Sequence, residues 1–331
     1  MVAEEDHAPA GESTFTVLLA LGANLGVGVL KLIAGLISGS GALLSEAVHS
    51  ASDCTTEILL LVALRRSDRP ADREHPFGYG KERYFWSLLA AVAIFVSGAA
   101  FSVFEGLRTI LGHSEPPGAL WINYPVLALA LVIEGASFRQ AAGLLRRVTR
   151  RRKQSVREYL LLPTDPTVNS VVLEDSTALV GVVVAATGVG LHQLTGSAVW
   201  DGTASLVIGA LLLVAAFVLA RANEALLIGQ QADARMVRAI EARLEAMAEV
   251  VDVVDLLTMM VGTGRVLLCT RVDFDDSLTA GELEIACVRI DAELRAEFPE
   301  LQEIFIQPAS RHDPSVRERV RARYGRALAD E

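Results

Sequence analysis

The sequence predicts an all-α membrane protein, a six-helix transmembrane bundle, followed by a small α+β cytoplasmic domain. Three observations lead there. Six runs of about 20 mostly apolar residues, the length a spanning helix needs, follow one another between Phe15 and Leu219. Lysine and arginine crowd into alternate links between those runs. Beyond Leu226-Leu227-Ile228-Gly229-Gln230-Gln231 the chain takes on the mixed charge of an ordinary globular sequence. The expected organisation is a polar N-terminal tail (1–13), a six-span transmembrane domain (14–222), a cytoplasmic domain (223–308) and an Arg-rich C-terminal tail (309–331).

The runs lie at roughly Phe15 to Ile37, Ala42 to Leu64, Tyr84 to Leu107, Tyr124 to Leu145, Val168 to Leu191 and Ala198 to Leu219. The link after the second holds Arg65, Arg66, Arg69, Arg73, Lys81 and Arg83. The link after the fourth holds Arg146, Arg147, Arg150, Arg151, Arg152, Lys153 and Arg157. The odd-numbered links, around Ser38–Gly41, Gly112–Asn123 and His192–Gly196, hold no Lys or Arg. Positive charge stays on the cytoplasmic side, so the even links and both chain ends are expected there, in a bacterial-type inner or plasma membrane. The mean hydropathy of +0.39 agrees with a membrane protein. A net charge of −10 argues against nucleic acid as a main partner. The cysteines, Cys54, Cys269 and Cys287, form no CxxC pair and suit a reducing compartment. The acidic start, MVAEEDHAPAGEST, is not a secretory signal peptide.

Within the second run, GALLSEAVHSASDCTTEILLLVAL, stand Glu46, His49, Asp53 and Glu57. Ionisable groups at membrane depth cost several kcal/mol and mark ion paths or buried pairs. His49 and Asp53 are spaced i, i+4 and share a helix face. Glu46 and Glu57 continue the stripe in either direction. In the fifth run, NSVVLEDSTALVGVVVAATGVG, Asp175 adjoins Glu174, roughly 100° round the helix. An imidazole meeting carboxylates from two helices can hold a divalent cation, and the nitrogen favours zinc over calcium or magnesium. A hydrogen-bonded polar cluster or an interhelical ion pair is the structural alternative. Glu46 and Glu174 could instead reach interfacial water. Further intramembrane polar groups are Asn24, Lys31, Glu105 and Glu134, the last two read as packing or proton-path candidates. Asp201 is expected to cap the sixth helix.

The phrases SGSGALLSEAVHSASD and HPFGYGKERY, with the acidic fifth helix, resemble the cation diffusion facilitator family of zinc transporters; VVLEDSTALVG is most similar to its zinc transporter 9-like branch. The resemblance covers roughly Phe15 to Pro308. It implies a metal ion held between the second and fifth helices by an [HD]xxxD pair from each. His49 and Asp53 match the first pair, and Asp175 matches the later member of the second. The earlier member falls on Val171, a departure, so Glu174 and Glu46 are the further candidate ligands. The resemblance also implies exchange of the metal for protons by alternating access: His49, with an ordinary pKa of roughly 6.5, would lose a proton to take a metal and regain it on release. Expected partners are a divalent metal, protons and the bilayer. Zinc is the transported substrate, with no organic cofactor. Manganese, cobalt, nickel or iron(II) as cargo, or a metal-binding scaffold that moves nothing, are the alternatives. No P-loop, nucleophile elbow or dinucleotide fingerprint points to an enzyme.

In the link EHPFGYGKERYFW, Pro and Gly interrupt the helix; His75 there is either a metal-capturing group or a surface histidine. The run RRVTRRRKQSVR is expected to lean on anionic headgroups. After the last span, Ala234 to Met247 has helical spacing. Val250 to Met260 and Arg265 to Phe274 read as strands joined by a Val-Gly-Thr-Gly hairpin, Thr279 to Phe298 as a helix and Glu303 to Gln307 as a last strand. This αββαβ order suggests a two-layer domain. It resembles the ferredoxin-like, metallochaperone-like domain through which the family forms homodimers. Having no histidine between Ala232 and Pro308, it is expected to bind little zinc of its own. Asp252, Asp255, Asp273, Asp275 and Asp276 read as a solvated acidic face, and the final Arg-rich segment as a solvated or membrane-leaning helix.

Overall fold

The computed structural model describes residues 10–112, 119–151, 156 and 166–324. Residues 1–9 of the polar tail, Arg152, Lys153 and Arg157 of the basic run, and residues 325–331 lie outside the described residues. The chain divides into two compact units: residues 1–65 with 85–224, and residues 66–84 with 225–331.

The first unit is helical. Its elements are α1 (Ala10–Ser38), α2 (Gly41–Ser67), α3 (Glu82–Ile110), α4 (Asn123–Arg151), α5 (Pro166–Thr195) and α6 (Val199–Ile228). Among the described residues five helices are long and apolar enough to cross a membrane: Gly41–Ser67, Glu82–Ile110, Leu120–Arg150, Ser170–Thr195 and Val199–Ile228. In α1 the apolar described stretch, Asn24–Ser38, is shorter. Several helices outrun the apolar patterns that signal them, α4 to Arg151 and α6 to Ile228. A helix does not have to stop where hydrocarbon stops. Half of the apolar window of α2 is buried in the protein, against 44% for α5 and α6 and 22% for α4. Outward faces carry Val29, Phe104, Val132 and Phe217, the apolar surface a bilayer accepts.

Small side chains let the helices close on one another. The core joins Val27, Ala34, Leu43, Ile94, Ala130, Val182, Ala185, Ile208 and Leu212. Between α3 and α6 the approach is backbone to backbone: a Cβ added at Gly106 would meet the Gly202 carbonyl oxygen at 2.7 Å, and one at Gly202 would meet the Gly106 oxygen at 2.9 Å. Halfway along α3, Ile94–Ala99 forms a π turn. There Ser97 shares a 2.7 Å hydrogen bond with Ser52 of α2.

The second unit contains α7 (Ala234–Glu245), β1 (Val250–Gly262), β2 (Arg265–Phe274), α8 (Ala280–Glu297), β3 (Leu301–Pro308) and α9 (Pro314–Tyr324). The sheet order is β1-β2-β3, antiparallel then parallel. Parallel pairing needs a crossover, which α8 supplies, started by a Thr279–Glu282 capping box. Alternate residues of β2, namely Val266, Leu268, Thr270, Val272 and Phe274, are buried. They face Ile240 and Leu244 of α7 and Ile290 and Leu294 of α8 in one core. Two expectations need correction. The final Arg-rich segment is docked: Val316 and Val320 of α9 pack on Val254, and Arg323 pairs with Asp255 at 2.8 Å. Asp255 therefore is not on a solvated face; it is buried and also meets Arg271 at 2.5 Å.

The link between α2 and α3 belongs to this second unit. Tyr84 is fully buried in its core. Gly80 lies so close to the β1–β2 hairpin that a Cβ there would meet the Val261 oxygen at 2.5 Å. Asp72 organises the preceding turn: Oδ2 accepts from the Tyr79 hydroxyl at 2.7 Å, and Oδ1 accepts from the amides of His75 at 2.7 Å and Glu74 at 3.0 Å. His75, exposed, stacks its ring on Tyr79.

Gly106→Ala should force α3 and α6 apart and cost about 1–3 kcal/mol, the range for overpacking a filled interface; an unaltered melting curve in detergent would refute this packing. The Tyr79 hydroxyl, then the neighbouring amides, hold the Asp72 carboxyl below its usual range. Its contribution is complete above the unfolded pKa of roughly 3.9 and is lost as pH falls through the folded value. Amide protection in residues 72–79, measured relative to the intrinsic exchange rate at each pH, should fall on acidification, and Asp72→Asn should flatten that response.

Candidate functional site

The α2 column forms as its spacing predicts. His49 Nδ1 lies 3.4 Å from Asp53 Oδ1, and both side chains are buried. Neither ring nitrogen of His49 has a hydrogen-bond partner among the described residues, nor does Asp53 Oδ1. Buried polar atoms are nearly always hydrogen-bonded, so these atoms have capacity left for a further partner. Glu57, one turn further, accepts 2.8 Å from Asn24 Nδ2 of α1. At the other end Glu46 is fully buried and is engaged by Lys31 of α1 at 3.0 Å. Lys31 also reaches Glu134 of α4 at 3.4 Å. Glu46 therefore has an intrachain cation as partner.

On α5, Glu174 is buried, with Oε1 unpaired. Asp175 Oδ1 accepts from Ser137 Oγ of α4 at 3.0 Å. Both acids open on a cavity of about 610 Å³ between α2, α4 and α5, whose wall also includes Glu57, Val171 and Arg139. At about 30 Å³ per water, that volume admits a hydrated ion. Val171 lies on the same wall, partly buried against Ala141, Leu145 and Val172, and offers no donor. Asp53 and Glu174 lie within electrostatic range of each other, as do Glu57 and Asp175. Among the described residues no three His, Cys, Asp or Glu side chains are grouped closely enough to hold a metal ion. The arrangement is two separate groups: an imidazole and a carboxylate on α2, and adjacent carboxylates on α5 that line the cavity.

Asp201 does something its sequence position did not suggest. It sits in the first turn of α6 but caps α2. Its Oδ1 accepts from Ser40 Oγ at 2.6 Å, and its Oδ2 accepts from the Gly41 amide at 2.6 Å and the Ala42 amide at 3.4 Å. Ser40 Oγ in turn accepts from the Leu43 amide at 3.2 Å. The free amides and positive end of α2 are thus met by a carboxylate from another helix. The only local signal was the SGSG stretch before α2, which offers no acid of its own. Glu105, read as a packing or proton-path group, pairs with Arg108 at 3.3 Å.

Residues 17–228 match the cation efflux transmembrane domain family. The chain is 37% identical over 246 residues to the mitochondrial proton-coupled zinc antiporter SLC30A9 of Homo sapiens, covering 74% of this chain and 43% of that protein. It is 30% identical over 262 residues to metal tolerance protein C4 of Arabidopsis thaliana, 79% of this chain and 57% of that one. Magnetosome protein MamB of Magnetospira sp. is 29% identical over 108 residues, 32% of this chain and 36% of that one. The chain thus spans under half the length of the SLC30A9 protein it matches.

Asp201→Ala should destabilise the bundle by about 1–2 kcal/mol, the upper range for loss of a helix cap, and should speed amide exchange at residues 41–43. Unchanged exchange there would show that the carboxylate does not cap α2 in the membrane.

Proposed function

Because this chain belongs to the cation efflux family, with its similarity to SLC30A9 placing it in the zinc transporter 9-like branch, we propose that it is a proton-coupled exporter of divalent metal ions, zinc foremost, working by alternating access. The proposed ligands are His49 and Asp53 from α2 and Asp175 from α5, with Glu174 in the role that Val171 leaves open. One observation carries this reading above the others: both His49 nitrogens and Asp53 Oδ1 are buried without a hydrogen bond among the described residues, and Asp53 lies one turn along α2 from Glu57, which lines the acid-walled cavity. The relative SLC30A9 is named a proton-coupled zinc antiporter, which supports the same cargo and coupling here.

The chemistry follows from the donor types. A metal binds the deprotonated forms of its ligands, so loading the site releases protons and proton return expels the metal. Closing α2 onto α5 would bring the two groups around one ion, and parting them would release it. α1 is taken as the first of six spans. The arginine-rich links after α2 and α4, and with them both termini, are placed on the cytoplasmic side of a bacterial-type inner or plasma membrane. The soluble unit, with its mixed three-stranded sheet under two helices, is proposed to have the ferredoxin-like, metallochaperone-like arrangement and to pair two copies into a homodimer.

A second reading has an observation of its own. Glu57, Glu174 and Asp175 give the cavity several oxygen donors against one imidazole. Oxygen-rich sites suit manganese and other harder ions, so manganese or iron(II) is the alternative cargo.

Purified chain in proteoliposomes should take up zinc against a proton gradient, with Asp53→Asn lowering flux at least about tenfold, the scale of losing a metal-site group. Zinc addition to detergent-solubilised protein should release protons, fewer in His49→Ala. Undiminished flux in Asp53→Asn would reject the site. Binding without flux would leave a scaffold, and a manganese flux above zinc would favour the second reading.

A further inference from the structure

Lys31 has no exposed surface, and its ammonium is held by three groups from two other helices. Nζ donates to Glu46 Oε2 at 3.0 Å and Ser50 Oγ at 3.1 Å on α2, and to Glu134 Oε1 at 3.4 Å on α4. Glu46 is likewise fully buried, and Glu134 nearly so. An ammonium at membrane depth is unfavourable unless paired, so this one is satisfied by an arrangement built from three helices. The cluster begins one turn from the proposed metal ligands, since Glu46 lies three residues before His49 on the same stripe of α2.

The second oxygen of Glu46 makes the placement informative. Oε1 has no hydrogen-bond partner and rests over Gly181 of α5, where there is no room for a Cβ beneath it. Gly181 lies six residues beyond Asp175. Glu46 thus bridges the gap between the two helices that carry the proposed ligands, with half of its carboxylate still unused. Without Lys31, both Glu46 and Glu134 would be buried acids with no cation, left to be answered by a proton or by an arriving metal.

We propose that Lys31 is the resident counter-cation of the transport site: it keeps Glu46 and Glu134 as an internal ion pair, withholds both from the metal, and so limits the ligand set that the transported ion meets. The inference rests on the α2–α5 site proposed above and deepens it by naming what sets its donor count. It removes Glu46 from the ligands and makes Lys31 a specificity-determining positioning residue. A small set of nitrogen and oxygen ligands suits zinc, whereas each added carboxylate moves a site toward manganese.

The test is the ratio of zinc to manganese affinity, by calorimetric titration of the full chain in detergent. Lys31→Met frees both carboxylates, and the ratio should fall at least about tenfold, as when a group that orients a ligand shell is lost. The triple variant Lys31→Met, Glu46→Gln, Glu134→Gln has neither cation nor acids and should restore the ratio to within about threefold of the wild type. If Lys31→Met alone does not fold, the triple variant remains decisive through its zinc affinity. An unchanged ratio in Lys31→Met overturns the proposal, and so does loss of zinc binding in a monodisperse triple variant, which would make Glu46 or Glu134 a ligand. Failure of the underlying site reads differently: Asp53→Asn would keep full zinc affinity whatever the Lys31 variants show.

Discussion

A carboxylate surrounded by hydrocarbon must be answered, by a hydrogen-bond donor, a cation or a proton. The helical unit is arranged around Glu46, His49, Asp53 and Glu57 of α2, and these are answered in different ways. Glu46 receives Lys31 and Glu57 receives Asn24. Among the described residues His49 and Asp53 approach each other, Nδ1 to Oδ1 at 3.4 Å, without a hydrogen bond. Those first two answers come from α1, and the Lys31 cluster extends to α4, so burying the column requires the neighbouring helices to be where they are. The pair left over is the place where an external ion has most to offer.

The helices were legible because hydropathy is summed over some 20 residues, and local errors cancel in such a sum. The αββαβ order was legible because β2 alternates buried and half-buried residues without a lapse and the Thr279–Glu282 box marks the start of α8. On the candidate site, the i, i+4 spacing alone placed His49 beside Asp53. Partner choice was not legible. Asp201 reaches back to the start of α2, Lys31 reaches Glu134, and Arg323 reaches Asp255, across separations of 160, 103 and 68 residues. Spacing rules hold within one helix or strand; they carry no information about which distant side chain will satisfy a buried charge.

The same limit explains the link between α2 and α3. Its proline and glycines announce a break in the helix and nothing more. In the structure this link is part of the soluble unit: Tyr84 fills its core and Gly80 lies flat against the β1–β2 hairpin. The reason for glycine at position 80 is therefore not the turn it makes but the backbone it touches. Being continuous with both α2 and α3, the link joins the helix that bears His49 and Asp53 covalently to the fold of the other unit. Movement along α2 and order in the core of the second unit thus share a single stretch of chain.

The cap on α2 also bears on how the protein is made. The amides of Gly41 and Ala42 wait for an acid encoded 160 and 159 residues later, at the entrance to the final span. A ribosome delivers α2 to the bilayer long before it has translated Asp201. Until then the first turn of that helix must borrow solvent or lipid headgroups, and its settled register arrives only with α6. The start of α2 is therefore fixed in place only by a segment made some 160 residues after it.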